Sequence, residues 1–164
     1  MLRIERVDYA DDRHAAELIR LLDEYARSEM GGGAGLGPDV MRALPARLAA
    51  MPQALSALAW QGESAVGLIN CFETLSTFKA RPLLNIHDIA VTPSAQGQGV
   101  GTALLNWAEQ QARMRGCCKL TLEVLEGNSQ AQHVYRRFGF AAYALDPAQG
   151  QALFWEKPLR APTD

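Results

Sequence analysis

An α/β domain built on one mixed sheet is the fold class that the sequence predicts, and three observations carry it. The 164 residues are the size of one compact domain, spanning residues 1–164. Period-two and helical apolar patterns interleave along the chain instead of separating into halves. The stretch from Leu83 to Val124 reads as strand, helix, strand, a unit that implies a parallel pair.

Leu2 to Val7 alternates as a strand, and Asp11 to Glu29 carries Ala15, Leu18, Ile19, Leu22 and Ala26 at helical spacing. The glycine-rich run from Gly31 to Gly37 cannot hold regular structure and predicts a loop. A second helix is expected over Asp39 to Ala50, with Pro38 near its start and Pro52 beyond its end. Ala54 to Trp60 and Ala65 to Thr74 flank Gln61-Gly62-Glu63-Ser64 as an antiparallel hairpin. Leu83 to Val91 is apolar at nearly every position until Pro93, as expected for a central strand covered on both faces. Gly99 to Arg115 is the third helix, Leu120 to Val124 the next strand, and Asn128 to Arg137 a fourth helix closed by Gly139. Phe140 to Ala144 and Ala152 to Trp155 are read as two last strands, with a hairpin-like connection from Asp146 to Gly150.

A net charge of −2 and 21% charged residues give no electrostatic footprint for nucleic acid or a membrane surface, so a small-molecule ligand fits better. Met1 to Arg13 lacks the basic start and apolar run of a signal peptide, which sets the expectation of a cytoplasmic protein. Cys71, Cys117 and Cys118 are odd in number and without metal-ligand spacing, so they are read as reduced thiols and no metal is expected.

Between the apolar strand and the third helix stands Pro93-Ser94-Ala95-Gln96-Gly97-Gln98-Gly99-Val100-Gly101-Thr102, with glycines at alternate positions where a helix begins. Backbone N–H groups at a helix start lack partners, and glycine lets an anion approach them, so this loop is fit to hold a pyrophosphate. A dinucleotide fingerprint would need glycine at Thr102, and a P-loop would need Gly-Lys-Ser/Thr, which does not occur.

Gln96-Gly97-Gln98-Gly99-Val100-Gly101, preceded by Ile89-Ala90-Val91, resembles the signature of the GNAT superfamily of acetyl-CoA-dependent N-acetyltransferases. The element order is similar over nearly the whole chain. The resemblance implies a mixed sheet of about six to seven strands whose central parallel strands splay apart, flanked by about four helices. It also implies acetyl-CoA as co-substrate, its pantetheine arm bonded to the backbone at Ile89 and Val91. The pyrophosphate would then lie on the N–H groups from Gly97 to Thr102. Gln96 stands where many members carry arginine, which leaves more of the phosphate recognition to backbone dipoles.

Asn128 and Tyr135 are seven residues apart, two helical turns, with the small Ala131 between them. By themselves they fit an N-cap and a core aromatic. The resemblance places them in the cofactor site and implies that Tyr135 lies beside the CoA sulfur as the general acid. His87 and Asp88 are adjacent titratable residues in an apolar strand, where neighbouring positions face opposite sides of a sheet. Family members often carry a carboxylate at the position of His87, which makes His87 the first choice for base or amine contact and Asp88 the second. A structural His-Asp pair is the competing reading, and Glu73 is a third candidate base. Arg81 could contact an anionic acceptor from its loop. The expected activity is acetyl transfer to a primary amine of a small molecule or protein by direct attack in a ternary complex. The rival is a domain that senses acyl-CoA without turnover, and the antiparallel edge strands leave room for a homodimer.

Overall fold

Alternation along the strands divides the apolar residues of a single sheet between two helical layers. A computed structural model describes residues 1–144, 146, 148 and 150–159. Its strands are β1 (Leu2–Arg6), β2 (Ala54–Gln61), β3 (Ser64–Ser76), β4 (Arg81–Val91) and β5 (Leu120–Leu122), and its longer helices α1 (Asp12–Arg27), α2 (Pro38–Ala49), α3 (Val100–Met114) and α4 (Ser129–Phe138). The strands lie in the order β1-β2-β3-β4-β5. The first four are antiparallel neighbours, and β5 returns parallel to β4 after the α3 crossover.

Leu55, Ala57 and Ala59 of β2, Ile69 and Cys71 of β3, and Leu84 and Ile86 of β4 pack beneath Val100, Leu104, Leu105 and Ala108 of α3. The alternate residues Leu58, Trp60 and Leu68 bury against Leu18 and Leu21 of α1 and Leu48 of α2. Burial of this kind contributes about 25 cal/mol per Å² of apolar surface and is the main reason the layers hold together. Trp60 is 1% exposed, and the Arg13 guanidinium lies 4.5 Å from its ring centroid. Its indole N–H has no acceptor among the described residues, a local cost set against a large apolar gain. No described helix is long and apolar enough to cross a membrane.

Two sequence expectations are corrected. Phe140 to Ala144 and Ala152 to Trp155 are not strands. A single backbone hydrogen bond, Ala152 N–H to the Tyr143 carbonyl at 3.1 Å, joins them, and Leu153, Phe154 and Trp155 are 74%, 78% and 82% exposed. Both are short apolar and aromatic runs, but among the described residues no neighbouring strand pairs with them, so the described sheet has five strands instead of six or seven and β4 is its fourth. The hairpin-like connection from Asp146 to Gly150 falls partly outside the described residues, at 147 and 149. The second correction lies within β4. The β3–β4 register shifts by one residue, Asn70 opposing Asp88 but Cys71 opposing Ile86, so His87 is the extra residue of a β-bulge. His87 and Asp88 therefore do not point to opposite sides. His87 meets the ring of Phe72 edge-on at 5.4 Å, Asp88 accepts from Asn70, and both partners belong to the α1 side of β3.

The parallel pairing of β4 with β5 covers only Leu84 to Ile86 against Leu120 to Leu122. Beyond Ile86, β4 runs on to Val91 with no strand beside it on that edge, the divergence expected of splayed parallel strands. Close approach of α3 to the sheet at this point depends on Gly67, where a Cβ would meet Val100 Cγ1 at 2.9 Å and Leu104 Cδ1 at 3.2 Å. Gly67→Val should therefore lower the unfolding free energy by about 1–3 kcal/mol, as overpacking does. Urea denaturation measures this, and an unchanged midpoint would show that α3 does not depend on the glycine.

Candidate active site

The turn that starts α3 is wound so that its amides face outward unpaired. Gly97 and Gly99 hold φ of 74° and 80°, a left-handed conformation that costs glycine little, and Gly99 is the helix N-cap. The first helical bond runs from Ala103 N–H to the Gly99 carbonyl. From Gly97 through Thr102, no amide has a hydrogen-bond partner among the described residues. Six adjacent donors at the positive end of a 15-residue helix form a receptor for an anion. The two glutamines brace the turn: Gln98 donates to the Ser94 carbonyl at 2.8 Å and accepts from Gln61, and Gln96 donates to the Val91 carbonyl at 3.3 Å.

The same edge continues into β4. Thr92 N–H bonds the Val66 carbonyl, so by antiparallel register Ala90 exchanges its backbone bonds with Leu68, while Ile89 and Val91 sit in wide pairs opposite Ile69 and Gly67. The peptide groups of Ile89 and Val91 thus point away from β3, toward the space vacated by β5. Ala90, grouped with them from sequence, spends its backbone within the sheet and offers the site only its side-chain surface.

A cleft of about 760 Å³ runs from this edge along the α3 start to α4. Asn128, Ala131, Val134 and Tyr135 form one wall, and Tyr25, Ser28 and Met30 form the other. Asn128 caps α4 through its side-chain oxygen, which accepts from Ala131 N–H at 3.1 Å, and Gly139 closes the helix. Two turns of α4 then carry Tyr135 into the cleft with its ring edge-on to Phe140 at 6.0 Å. Burial, with a smaller contribution from Tyr25, pushes the Tyr135 phenol up to about 12. It is a proton donor across the neutral range, and no hydrogen bond to a described residue engages its hydroxyl.

Tyr25 was not singled out from sequence, although its spacing of four from Leu21 puts it on the buried stripe of α1. Burial raises its phenol, and the charge of Asp88 adds to the effect. Glu73 instead binds Arg115 at 3.0 Å beside the far end of α3, and Arg81 donates to the Gly116 carbonyl. Both are occupied away from the cleft. His133, given no role from sequence, lines the α4 wall. Cys71 is buried, its thiol pushed up to about 12 by desolvation and then by Asp88, so it is no ready nucleophile.

The profile described as "Acetyltransferase (GNAT) family" matches residues 21–140. Streptothricin acetyltransferase of Streptomyces lavendulae is 48% identical over 78 residues, which cover 46% of this chain and 41% of that protein. Thialysine N-epsilon-acetyltransferase of Bos taurus is 34% identical over 94 residues, 57% of this chain and 54% of that protein. The alignments thus span about half the length of these curated relatives. Among solved structures, an aminoglycoside acetyltransferase from an uncultured soil metagenomic sample, in complex with sisomicin, superposes with a TM-score of 0.78 at 20% identity over 97% of both chains, a likeness of fold. The profile match reaches from within α1 to the residue after the α4 cap and includes the loop that starts α3: this chain belongs to the GNAT acetyltransferase family.

Proposed function

We propose that the protein transfers the acetyl group of acetyl-CoA to a primary amine of a small molecule within a ternary complex. The observation that carries this reading is a pair of free donor sets on one cleft, the N–H groups of Ile89 and Val91 on the β4 edge and those from Gly97 to Thr102 at the α3 start, with Tyr135 in the facing wall. A pantetheine arm has amides that can extend a strand edge in the manner of β-augmentation, and a pyrophosphate suits the donors from Gly97 to Thr102. Asn128 and Ala131 would line the same arm from α4. Attack of the neutral amine forms the C–N bond, and collapse breaks the C–S bond. The phenol of Tyr135 gives its proton to the departing thiolate and regains one from water. The excess protons of the amine pass to a basic side chain or to water, with His87 and Asp88 as candidate receivers. A buried Cys71 thiol near 12 favours direct attack over an acetyl-cysteine intermediate. The small cleft and the acceptors named for the relatives make streptothricin, thialysine and sisomicin suitable amine probes.

Acetyl-CoA at 100 times its dissociation constant should stabilise the fold by about 2.7 kcal/mol in chemical denaturation. Gly101 separates binding from folding. Its φ is ordinary, and a Cβ there would touch only Val91 Cγ2 at 3.9 Å. Gly101→Glu places a carboxylate in the first turn of a helix, which favours the helix while repelling phosphate. The variant should fold normally and lose at least about 100-fold in CoA affinity; full affinity in a folded variant would remove the phosphate assignment.

Tyr135→Phe keeps the ring and its contact with Phe140. Single-turnover transfer at saturating acetyl-CoA should fall by roughly 10²- to 10⁴-fold with CoA affinity unchanged. The lower end is expected, because a thiol of pKa about 8.5 is a tolerable leaving group without help. Equal rates would reduce Tyr135 to a packing residue.

A further inference from the structure

We propose that Tyr9, Ser56 and Asn70 form a positioning chain that fixes the carboxylate of Asp88 as the group receiving the acceptor ammonium and its first proton. This rests on the acetyl-transfer reading above. Ser56 and Asn70 are the buried polar residues among those described, 1% and 3% exposed. They are register partners on β2 and β3, and Asn70 is in turn the register partner of Asp88 on β4. A polar row thus crosses the α1 face of three adjacent strands, where apolar side chains would otherwise add to the core. Such a row is tolerated only if every member is paired.

The pairing has a single consistent direction. An ionised Asp88 can only accept, so Asn70 must turn its amide NH₂ toward it, with Nδ2 at 2.9 Å from Oδ2. Asn70 Oδ1 then faces Ser56, whose hydroxyl must donate at 2.6 Å. Ser56 Oγ is left to accept, so the Tyr9 hydroxyl, 2.9 Å away, donates to it. Three hydrogen bonds point the same way and end on one carboxylate oxygen, an arrangement in which each bond polarises the next. Burial raises the Tyr9 phenol, in keeping with a neutral donor at the head of the chain. Asn70 has no ionisable proton to pass on, so the chain orients Asp88 and does not conduct protons.

Asp88 is where an acceptor would need it. The bulge at His87 turns Asp88 onto the α1 face, next in the chain to Ile89 and near enough to Tyr25 for its charge to raise that phenol; Ile89 and Tyr25 line the cleft, which Asp88 borders without lining. Strands advance about 3.3 Å per residue, so an arm bonded at Val91 and then Ile89 brings its thioester to the level of residues 87 and 88. There the carboxylate takes one proton from R–NH₃⁺, the freed amine attacks the acetyl carbon, and the carboxyl later returns the proton to water. His87 is exposed and engaged with Phe72, outside this chain.

The test is a mutant cycle with the best turned-over of the three amine probes. Asn70→Ala should lower kcat by about 10- to 100-fold, the scale of one lost hydrogen bond to a charged group. Tyr9→Phe, which removes only one part-buried hydroxyl and tests the proposal even if Asn70→Ala misfolds, should lower kcat less. Neither should change KM for acetyl-CoA. In an Asp88→Asn background both substitutions should have no further effect on kcat. Equal losses in both backgrounds, or unchanged kcat in Tyr9→Phe and Asn70→Ala, would overturn the positioning role while leaving acetyl transfer intact. A wild type that acetylates none of the probes would remove the acetyl-transfer reading and this one with it.

Discussion

A peptide group that leaves a hydrogen-bond ladder needs another partner, and in this fold the constraint acts along one edge of β4. Parallel pairing with β5 stops at Ile86, while β4 continues for five more residues. The N–H groups of Ile89 and Val91 then face open space, and after Thr92 and a short bonded turn at Pro93–Ala95 the chain enters a helix start whose amides are also free. A buried unpaired peptide group costs about 1–3 kcal/mol, so such a row persists only where solvent or a ligand can reach it. The cleft supplies that access. Its remaining features, including the wall of α4 and the overhang of α1, follow from what must surround an opened strand edge.

Holding the edge open requires rigidity on both sides. Gly67 lets the first turn of α3 lie close against the sheet, so the anion-receiving amides are fixed relative to β4. On the other face, Leu18 and Leu21 seat α1 in the core and carry Tyr25 over the cleft one turn later. Tyr135 approaches from the opposite wall. Burial raises both phenols, the charge of Asp88 adds to the effect on Tyr25, and Tyr25 adds to that on Tyr135.

Local patterns made much of this legible. The glycines of the loop, the hairpin at Gly62 and the two-turn spacing from Asn128 to Tyr135 are all short-range signals, and the elements they mark stand where expected within a residue or two. What escaped depends on partners distant in sequence. The bulge at His87 exists only relative to the register of β3, so reading β4 alone put His87 and Asp88 on opposite faces. The apolar, aromatic run of Phe140 to Ala144 promised a strand, but composition does not provide a neighbour to pair with. Ser56 and Asn70 did carry a signal that went unused: each interrupts an apolar run within its strand, and each proves to be buried. Tyr25 carried one too, at helical spacing from Leu21.

The central claim is that two sets of free backbone donors on one cleft, in β4 and at the α3 start, receive acetyl-CoA. Residue-resolved amide hydrogen exchange tests it most directly, because these amides have no partner in the free protein and should exchange quickly. On saturation with CoA, protection should rise together at Ile89, Val91 and Gly97 through Thr102, with little change in β2. CoA binding that leaves Ile89, Val91 and the α3 start as fast as before, while protecting amides elsewhere, would contradict the account.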